Sequence, residues 1–508
     1  MVLPTDSGTR SVPGCATSGP TTRPVSTGRQ TLVSAPEPPG GTTTDGDSAA
    51  HSNAEGYATG LGNRQVQMIA MGGAIGVGLF LGAGGLLERM GPGIILSYLV
   101  CGIAVFFVMR ALGELVLHRP LSGSFVEYAR EFIGPWAGFA SGWMYWVNWV
   151  GSGVAEITAA GIYVGKWFPE FPQWITALLA LLVLLGVNLL SVRLFGELEF
   201  WFSVIKVLAI ISFLVLGVWL VLTGAQVGET TAGVGNLVHN GGFLPMGIPV
   251  VLMSLQGVIF AYASMEMAGI AAGETKNPAK VMPRAINSVI VRIAFFYVGS
   301  LLLLCMVLPW TAYSGSESPF VTVFSSIGIP WAGDIMNFVV LTAALSSCNS
   351  GLYSTGRILR SLSRNGEAPA FTARMNAQRA PYGAVLFTAA VFLLGVLLNY
   401  VVPDEAFEIA TSISSLGVIA TWASLLYSQL RMRKLAEAGV LRRPSYRMPG
   451  SPYSNWVVLG FLALVLVLAG FSSDVAARWS LYAIPLLVVA LWVGWLVVGK
   501  RSAPAERD

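Results

Sequence analysis

Charged side chains are scarce in this sequence. Only 11% of its 508 residues are Asp, Glu, Lys or Arg, whereas soluble domains carry roughly 25%. Hydrophobic residues make up 54% of the chain, which is far more than one soluble core needs. Because a helix needs about 20 apolar residues to cross a bilayer, this composition predicts many spanning helices in one membrane domain. A soluble globular fold is excluded, and a lipid bilayer is the predicted environment.

Side chains that bind metals or react as nucleophiles are scarce as well. The four cysteines are dispersed, without the spacing of a metal site or a disulfide framework, at Cys15, Cys101, Cys305 and Cys348. The three histidines lie in the N-terminal region or near predicted loops, so no histidine proton relay is expected. We predict no enzymatic activity, no metal and no cofactor. The formal net charge of +4 gives no argument for nucleic acid binding.

The first sixty residues contain no long apolar run, and more than half of them are Gly, Pro, Ser or Thr. Such a segment cannot bury enough surface to offset the entropy cost of ordering it. Residues 1–60 are therefore predicted to be a disordered cytoplasmic tail. The segment also lacks the apolar core of a signal peptide, so the first spanning helix is expected to direct insertion.

Twelve apolar stretches follow this tail, and each is predicted to cross the membrane as a helix. We number them spans 1 to 12. They cover residues 66–88, 92–117, 135–166, 173–191, 197–223, 246–271, 284–308, 331–360, 382–401, 406–430, 454–472 and 478–499. Spans 3 and 8 are longer than a bilayer requires, so they are expected to tilt or to extend beyond it.

The basic residues between spans predict the orientation of the chain. Lys and Arg cluster in the connections after spans 6, 8 and 10, while the connections over 224–245, 311–330 and 401–405 contain none. Because cytoplasmic loops carry the excess of basic residues, both termini are predicted to be cytoplasmic. An even number of spans agrees with that result. The expected location is the inner cell membrane.

Span 1 contains four glycines within the segment 72–78. Each costs a helix interior about 1 kcal/mol relative to alanine, which favours a local break. Broken backbone at membrane depth is tolerated where it lines a cavity or is buried in protein. The alternative is close helix packing through small residues. Span 1 by itself supports both interpretations equally.

Span 6 carries an ionisable residue, Glu266, after the segment Phe260 to Met265. One interpretation places Glu266 near the cytoplasmic end of an unbroken helix. The other is that span 6 breaks as span 1 does, because paired interruptions in two halves are typical of inverted-repeat transporters. Helix N-termini at such a break supply N–H donors for a carboxylate, and exposed carbonyls accept hydrogen bonds from an ammonium. The second interpretation predicts a midplane site for an α-amino acid.

Several segments resemble one transporter family. The matching segments are 72–80, 109–115, 142–146, 260–266, 272–278 and 346–351. They resemble the bacterial amino acid transporter family of the amino acid–polyamine–organocation superfamily, and within it the L-asparagine permeases most. The resemblance covers about residues 57–500. It implies a ten-helix core over 61–430 built from two inverted five-helix repeats with broken spans 1 and 6. A basic cytoplasmic loop over 431–453, two extra helices over 454–499 and a short tail over 500–508 follow.

The resemblance also implies a substrate site. The substrate carboxylate is expected at the backbone of Ile75, Gly76, Val77 and Gly78, and the ammonium at carbonyls near Phe260, Ala261 and Ala263. Phe260 is expected to act as an aromatic gate. In one departure, Val77 stands where the family usually has a hydroxyl residue, so a side-chain contact with the carboxylate is lost.

Two further ionisable residues lie within spans. Lys206 is nine residues past Glu197. At a rise of about 1.5 Å per residue, this places it ~13 Å along the helix into the membrane. Its side chain either snorkels to the membrane surface or carries the coupling proton. The resemblance favours the coupling role, since proton-coupled relatives have lysine there. The resemblance implies that Glu156 faces the substrate, where it pairs with an ammonium or a side-chain amide or carries a proton. The alternative is a buried carboxyl bonded to another helix. Glu266 is assigned a structural and gating role, and the tryptophans, Trp149 among them, are predicted to be packing residues or interfacial anchors.

The function that follows is proton-coupled import of a small polar amino acid, with L-asparagine expected, by alternating access. The alternatives are another substrate such as γ-aminobutyrate, or an amino acid sensor with a transporter fold. The sequence does not specify an oligomeric state.

Overall fold

The computed structural model describes residues 75–119, 124–190, 192–267, 278–377, 380–472 and 475–502. The predicted tail over 1–60 and the beginning of span 1 lie outside these ranges. Helix dominates the described residues, as the sequence predicts. They also include a short hairpin, in which β1 (Gln226–Val227) pairs antiparallel with β2 (Thr230–Thr231).

Helices occur in each of the twelve predicted spans. They are α1 Val77–Phe80, α2 Gly82–Met90, α3 Ile94–His118, α4 Ser124–Phe132, α5 Pro135–Gly165, α6 Gln173–Leu190, α7 Val192–Thr223, α8 Gly247–Met253, α9 Leu255–Ala261, α10 Pro278–Arg292, α11 Ser300–Val307, α12 Pro319–Ser326, α13 Ala332–Arg364, α14 Tyr382–Val401, α15 Pro403–Glu437, α16 Tyr453–Ala469 and α17 Val475–Ser502. Short 3-10 turns cover Gly91–Gly93, Val234–Leu237, Trp310–Ala312 and Ala370–Ala373. A π-helical segment, Ile293–Gly299, joins α10 to α11.

Within the described ranges, seven helical segments are long and apolar enough to cross a membrane. These are Val77–His118, Gly196–Thr223, Met282–Val307, Ala332–Arg364, Tyr382–Val401, Pro403–Glu437 and Arg478–Val498. Two shorter apolar helices are Gln173–Leu189 and Tyr453–Ala469. The architecture is thus helical with multiple apolar helices, while the number of crossings remains a prediction.

Helices α5, α13 and α15 form the centre of the described chain, and both α13 and α15 pack against α5. The approach of α5 to α15 depends on glycine, because a β-carbon on Gly417 would lie 2.6 Å from the backbone nitrogen of Asn148. Helices α1 and α9 pack against this centre, and α7 packs against α13. The interrupted spans 1 and 6 therefore lie beside the polar side chains of α5 and α13.

Candidate functional site

Span 1 is interrupted on both sides of α1. Gly76 has extended backbone, with φ −122° and ψ −167°, and helix begins at Val77. Helix stops again after Phe80, and α2 begins at Gly82. The first N–H groups of a helix have no acceptor within the helix. The N–H of Val77 donates instead to the carboxyl of Glu156 on α5.

Span 6 is interrupted after α9. Helix ends at Ala261, and residues 262–266 form turns in which Ser264 takes a positive φ of 70°. Such a φ is uncommon outside glycine and marks a sharp local departure from helix. A β-carbon on Gly78 would lie 2.6 Å from the Cα of Ala261. Spans 1 and 6 therefore meet where each leaves regular helix, and only glycine at position 78 permits this contact.

A small cavity, here called the inner cavity, lies at this junction. It has a volume of about 20 Å³, and its walls include six of the predicted substrate residues, Gly76, Gly78, Glu156, Phe260, Ala261 and Ala263. Ile75 and Val77 are fully buried beside it. A volume near 10–15 Å³ holds roughly one water molecule. The inner cavity is therefore contracted in this conformation, and an amino acid would enter only if its walls moved apart.

Three polar atoms on the walls of the inner cavity are buried without a hydrogen bond of regular geometry in the described part of the chain. They are Nε1 of Trp149, Oε2 of Glu156 and Oγ of Ser347. Trp149 makes a contact of irregular geometry with the Tyr145 hydroxyl, and Ser347 makes one with the Glu156 carboxyl. Leaving a buried polar group unsatisfied costs about 1–3 kcal/mol. The inner cavity therefore combines an N–H donor, a carboxyl acceptor and a hydroxyl, which are the groups that a small polar ligand would satisfy.

A larger opening, here called the vestibule, leads from one end of the bundle toward the inner cavity. Its volume is about 650 Å³, and Gly85, Gly161, Gln173 and Asp404 contribute to its walls. Phe260 lines both the vestibule and the inner cavity. Its ring meets that of Phe407 nearly at right angles, with centroids 6.5 Å apart. The expected aromatic gate thus lies between the two spaces.

An ion pair joins the walls of the vestibule. Arg89 of α2 bonds to Glu408 of α15, and both residues line the vestibule. Gly315 and Ser316, from the connection before α12, line it as well. The vestibule therefore opens at the end of the bundle that carries the connections over 311–330 and 401–405, both of which lack Lys and Arg.

The opposite end of the bundle is held by buried ionic contacts. Arg130 of α4 donates two hydrogen bonds to the carboxyl of Glu367, at 2.5 and 2.7 Å. This hydrogen bonding raises the pKa of the Arg130 guanidinium above its ordinary value. Glu114 of α3 accepts hydrogen bonds from Arg443 Nε and the backbone N–H of Met448, at 2.5 and 2.7 Å. These contacts fasten α3 and α4 to connections that follow α13 and α15.

Lys206 of α7 is fully buried, which argues against snorkelling in this conformation. Its charge interacts with the carboxyls of Glu199 and Glu156. Glu199 is also fully buried, and its two carboxyl oxygens share the one hydroxyl hydrogen of Ser346 on α13, with Oγ 2.9 Å from each oxygen. Lys206 therefore interacts electrostatically with two carboxyls, one that reaches the inner cavity and one that is bound to α13.

Glu266 lies at the end of the turn that follows α9 and is 1% exposed. Tyr145 of α5 and Trp422 of α15 are its neighbours. Its carboxyl makes contacts of irregular geometry with the Trp422 side chain and with the backbone N–H of Ser264. The half-helix that Glu266 is predicted to cap would begin beyond Met267, outside the described residues. Its assignment as a structural and gating residue remains a prediction.

Three residues of this arrangement were not assigned to the site from the sequence. Trp149 lines the inner cavity, although the sequence suggests packing or anchoring. Ser347 also lines it, and Glu199 contacts α13. A signal for Glu199 does exist, because Glu199 and Lys206 are seven residues apart, which places them on one helix face. No comparable feature of the sequence indicates the direction in which the N–H of Trp149 points.

Comparison with known proteins identifies the family that the chain matches. The model of the family described as amino acid permease matches residues 65–507. The L-asparagine permease of Escherichia coli strain K12 is 51% identical over 455 residues, covering 89% of this chain and 91% of the relative. L-asparagine permease 2 of Mycobacterium tuberculosis is 54% identical over 448 residues, covering 88% and 92%. The L-asparagine permease of Streptomyces coelicolor is 50% identical over 462 residues, covering 89% and 94%.

Proposed function

This chain belongs to the amino acid permease family, and from that premise we propose that it imports L-asparagine together with protons by alternating access. Family membership makes it a multi-pass membrane transporter of amino acids rather than an enzyme. The proposal adds the substrate, the driving ion and the route. It also includes the features predicted from the sequence: twelve spans, two inverted repeats, cytoplasmic termini and location in the inner cell membrane.

The observation that carries the choice of asparagine is the set of unsatisfied atoms on the inner cavity. The N–H of Trp149 makes only a contact of irregular geometry, with the Tyr145 hydroxyl, and Oε2 of Glu156 has no hydrogen-bond donor among the described residues. A primary carboxamide offers a carbonyl acceptor and an NH₂ donor on one planar group. The hydroxyl of Ser347 can donate or accept beside them. A hydrocarbon side chain would give none of these three atoms a hydrogen-bond partner. The names of the relatives point to the same substrate.

The two charged ends of asparagine are assigned to the backbone. The carboxylate is proposed to bind the N–H groups of residues 75–78, and the ammonium to bind carbonyls near Phe260, Ala261 and Ala263. Contact between Gly78 and Ala261 supports this assignment, because it brings the two interrupted segments together. In this conformation the N–H of Val77 donates a hydrogen bond to the carboxyl of Glu156. Substrate must therefore displace Glu156 from that N–H when its own carboxylate binds.

Displacement of Glu156 is the proposed link between substrate and proton. The carboxyl of Glu156 faces the inner cavity on one side and interacts with the charge of Lys206 on the other. When it leaves Val77, its nearest opposite charge among the described residues is Lys206. A change in this pairing alters how well Lys206 retains its proton, because a nearby carboxylate stabilises the ammonium form. Substrate occupancy and protonation of Lys206 are thereby coupled.

Entry is proposed to occur through the vestibule, which faces the outside of the cell. Movement of Phe260 away from Phe407 would join the vestibule to the inner cavity, and return of the ring would close it. Release to the cytoplasm would require opening at the Arg130–Glu367 and Glu114–Arg443 contacts. The observed conformation has its open space on the vestibule side, as expected of an outward-facing state.

Uptake of labelled asparagine into proteoliposomes that contain the purified full-length chain tests the proposal. We expect accumulation when the lumen is alkaline, no dependence on sodium, and strong competition by unlabelled asparagine. Competition by arginine or leucine without competition by asparagine would overturn the substrate assignment. Dependence on sodium with no response to a pH gradient would overturn the coupling. Asparagine binding without uptake would indicate a sensor instead.

A further inference from the structure

Two acidic residues with different surroundings act on Lys206. Glu199 lies seven residues before it on α7, which is two helical turns or ~10.5 Å of rise and places both on one face. Glu156 approaches from α5. The long side chain of lysine can extend along the helix toward Glu199. Lys206 thus has one carboxyl partner on its own helix and one on a neighbouring helix.

Glu199 is held firmly by α13. Ser346 Oγ lies 2.9 Å from each carboxyl oxygen, and the side chains of Asn349 and Ser350 face the same carboxyl. Residues 346, 349 and 350 are spaced by three and four, so they share one face of a helix. Asn188 of α6 fixes the orientation of Asn349, since its Nδ2 donates to Asn349 Oδ1 at 2.8 Å. Glu199 is therefore anchored by α13, and α6 in turn orients Asn349 of that helix.

The neighbouring residue Ser347 faces a different part of the site. A β-carbon on Gly76 would lie 3.0 Å from Ser347 Oγ and 3.1 Å from Glu156 Oε1. The polar segment 346–350 of α13 therefore divides between two sites. Ser347 contacts the substrate cavity, while Ser346, Asn349 and Ser350 surround Glu199. This division gives the polar segment of α13 a role that substrate binding by itself does not explain.

We propose that Glu199 is the fixed counter-ion of Lys206 and a positioning residue for proton coupling, whereas Glu156 is the exchangeable counter-ion. The inference rests on the proposed function and extends it to a residue that does not touch the inner cavity. Its basis is the contrast between a carboxyl bound to α13 and a carboxyl that reaches the cavity.

The physical reason is the cost of an unpaired charge inside a membrane protein. A buried ammonium is stable only beside a carboxylate, and removing one partner of a buried pair costs about 3–5 kcal/mol. Glu156 cannot be a constant partner if substrate displaces it. Glu199 balances the charge of Lys206 and holds its side chain in place throughout the cycle. Movement of Glu156 can therefore alter the protonation of Lys206 without leaving an isolated charge.

The other polar and titratable groups around this cluster are few in the described part of the chain. Helix α13 presents Ser346, Asn349 and Ser350 to Glu199. Tyr163 of α5 and Cys348 of α13 interact with Glu156. The charged groups that act on Lys206 among these described residues are the carboxyls of Glu199 and Glu156. A pH effect of replacing Glu199 would therefore be expressed mainly through Lys206.

The test compares Glu199→Gln with Glu197→Gln, which makes the same substitution two residues away. Both full-length variants and the wild type are reconstituted in proteoliposomes. Two rates are measured with labelled asparagine: exchange against asparagine inside the vesicles, and accumulation driven by an imposed pH gradient over a range of external pH. We also include Glu199→Asp, which retains the charge and should rescue coupling even if Glu199→Gln assembles poorly.

We expect Glu199→Gln to retain exchange within about threefold and to lose roughly tenfold or more of gradient-driven accumulation. Its remaining accumulation should peak at a lower external pH, because the ammonium has lost a stabilising carboxylate. Glu197→Gln should match the wild type, and Glu199→Asp should recover most of the coupling. Equal loss of exchange and accumulation in Glu199→Gln, or failure of Glu199→Asp to recover coupling, would overturn the inference. So would wild-type accumulation and pH profile in Glu199→Gln. If the wild type itself ignores the pH gradient, the proposed coupling fails first.

Discussion

The carboxyl of Glu156 lies against the extended backbone of Gly76. Its Oε1 is 3.1 Å from the point that a β-carbon on residue 76 would occupy, and the N–H of the next residue, Val77, donates to the same carboxyl. The side chain of Glu156 thus accepts a hydrogen bond from the same backbone N–H that is proposed to bind the substrate carboxylate. This contact gives the substrate a direct means of moving a charged group of the protein.

Replacement of Gly76 by alanine should weaken asparagine binding. The added methyl group would lie 3.0 Å from Ser347 Oγ and 3.1 Å from Glu156 Oε1, so it would crowd the inner cavity where the substrate carboxylate is proposed to bind. We expect the Kd to rise about tenfold, which corresponds to about 1.4 kcal/mol. Isothermal titration of the purified protein measures it. Gly186→Ala on α6 is the matched control, because a β-carbon there meets nothing within 4 Å. Equal affinities for the two variants would refute the proposed position of the carboxylate.

Trp149→Phe should reduce the preference for asparagine over amino acids without a carboxamide. The substitution keeps an aromatic ring in the inner cavity and removes the N–H donor. We expect the KM for asparagine to rise about tenfold, in keeping with about 1–2 kcal/mol for one hydrogen bond. Competition by alanine should hardly change. Trp167→Phe, far from the inner cavity with its N–H bonded to Asp334, provides the control. A parallel loss for asparagine and alanine would show that Trp149 serves packing only.

Glu266→Gln should slow transport more than it weakens binding. Glu266 lies between Tyr145 and Trp422 behind the turn that follows α9, and it does not line the inner cavity. The variant retains the shape of the side chain and removes its capacity for negative charge. Substrate Kd and exchange rate should be measured in one preparation. We expect the rate to fall about tenfold with the Kd within about threefold of wild type. A large affinity loss at an unchanged rate would assign Glu266 to substrate binding.

Much of the architecture could be predicted because it follows from local properties of the chain. Apolar length predicts the helices, and the glycines of span 1 together with Glu266 in span 6 indicate where regular helix is interrupted. Gly76 is extended and α9 ends at Ala261, which agrees with those positions. Six predicted residues also line one cavity. These features depend on backbone propensity and on the burial of charge, both of which are present in the sequence.

The remaining features depend on how distant helices pack. Glu199 is two residues from Glu197, and its full burial and its contact with Ser346 of α13 distinguish it from Glu197. The unsatisfied N–H of Trp149 depends on the rotamer that its neighbours permit. The occupation of the Val77 N–H by Glu156 belongs to one conformation of the empty site. Residue type and spacing do not encode any of these three relationships by themselves.

The most direct test of coupling through Lys206 is to record proton and asparagine movement together. Proteoliposomes with a pH-sensitive dye in the lumen and no initial pH gradient receive external asparagine under a clamped membrane potential. We predict that the wild type acidifies the lumen as asparagine enters. Lys206→Ala, which removes the buried ammonium that interacts with Glu156 and Glu199, should equilibrate asparagine with no acidification above that of empty vesicles. Constant lumenal pH during wild-type uptake, or undiminished acidification with Lys206→Ala, would contradict the proposed mechanism.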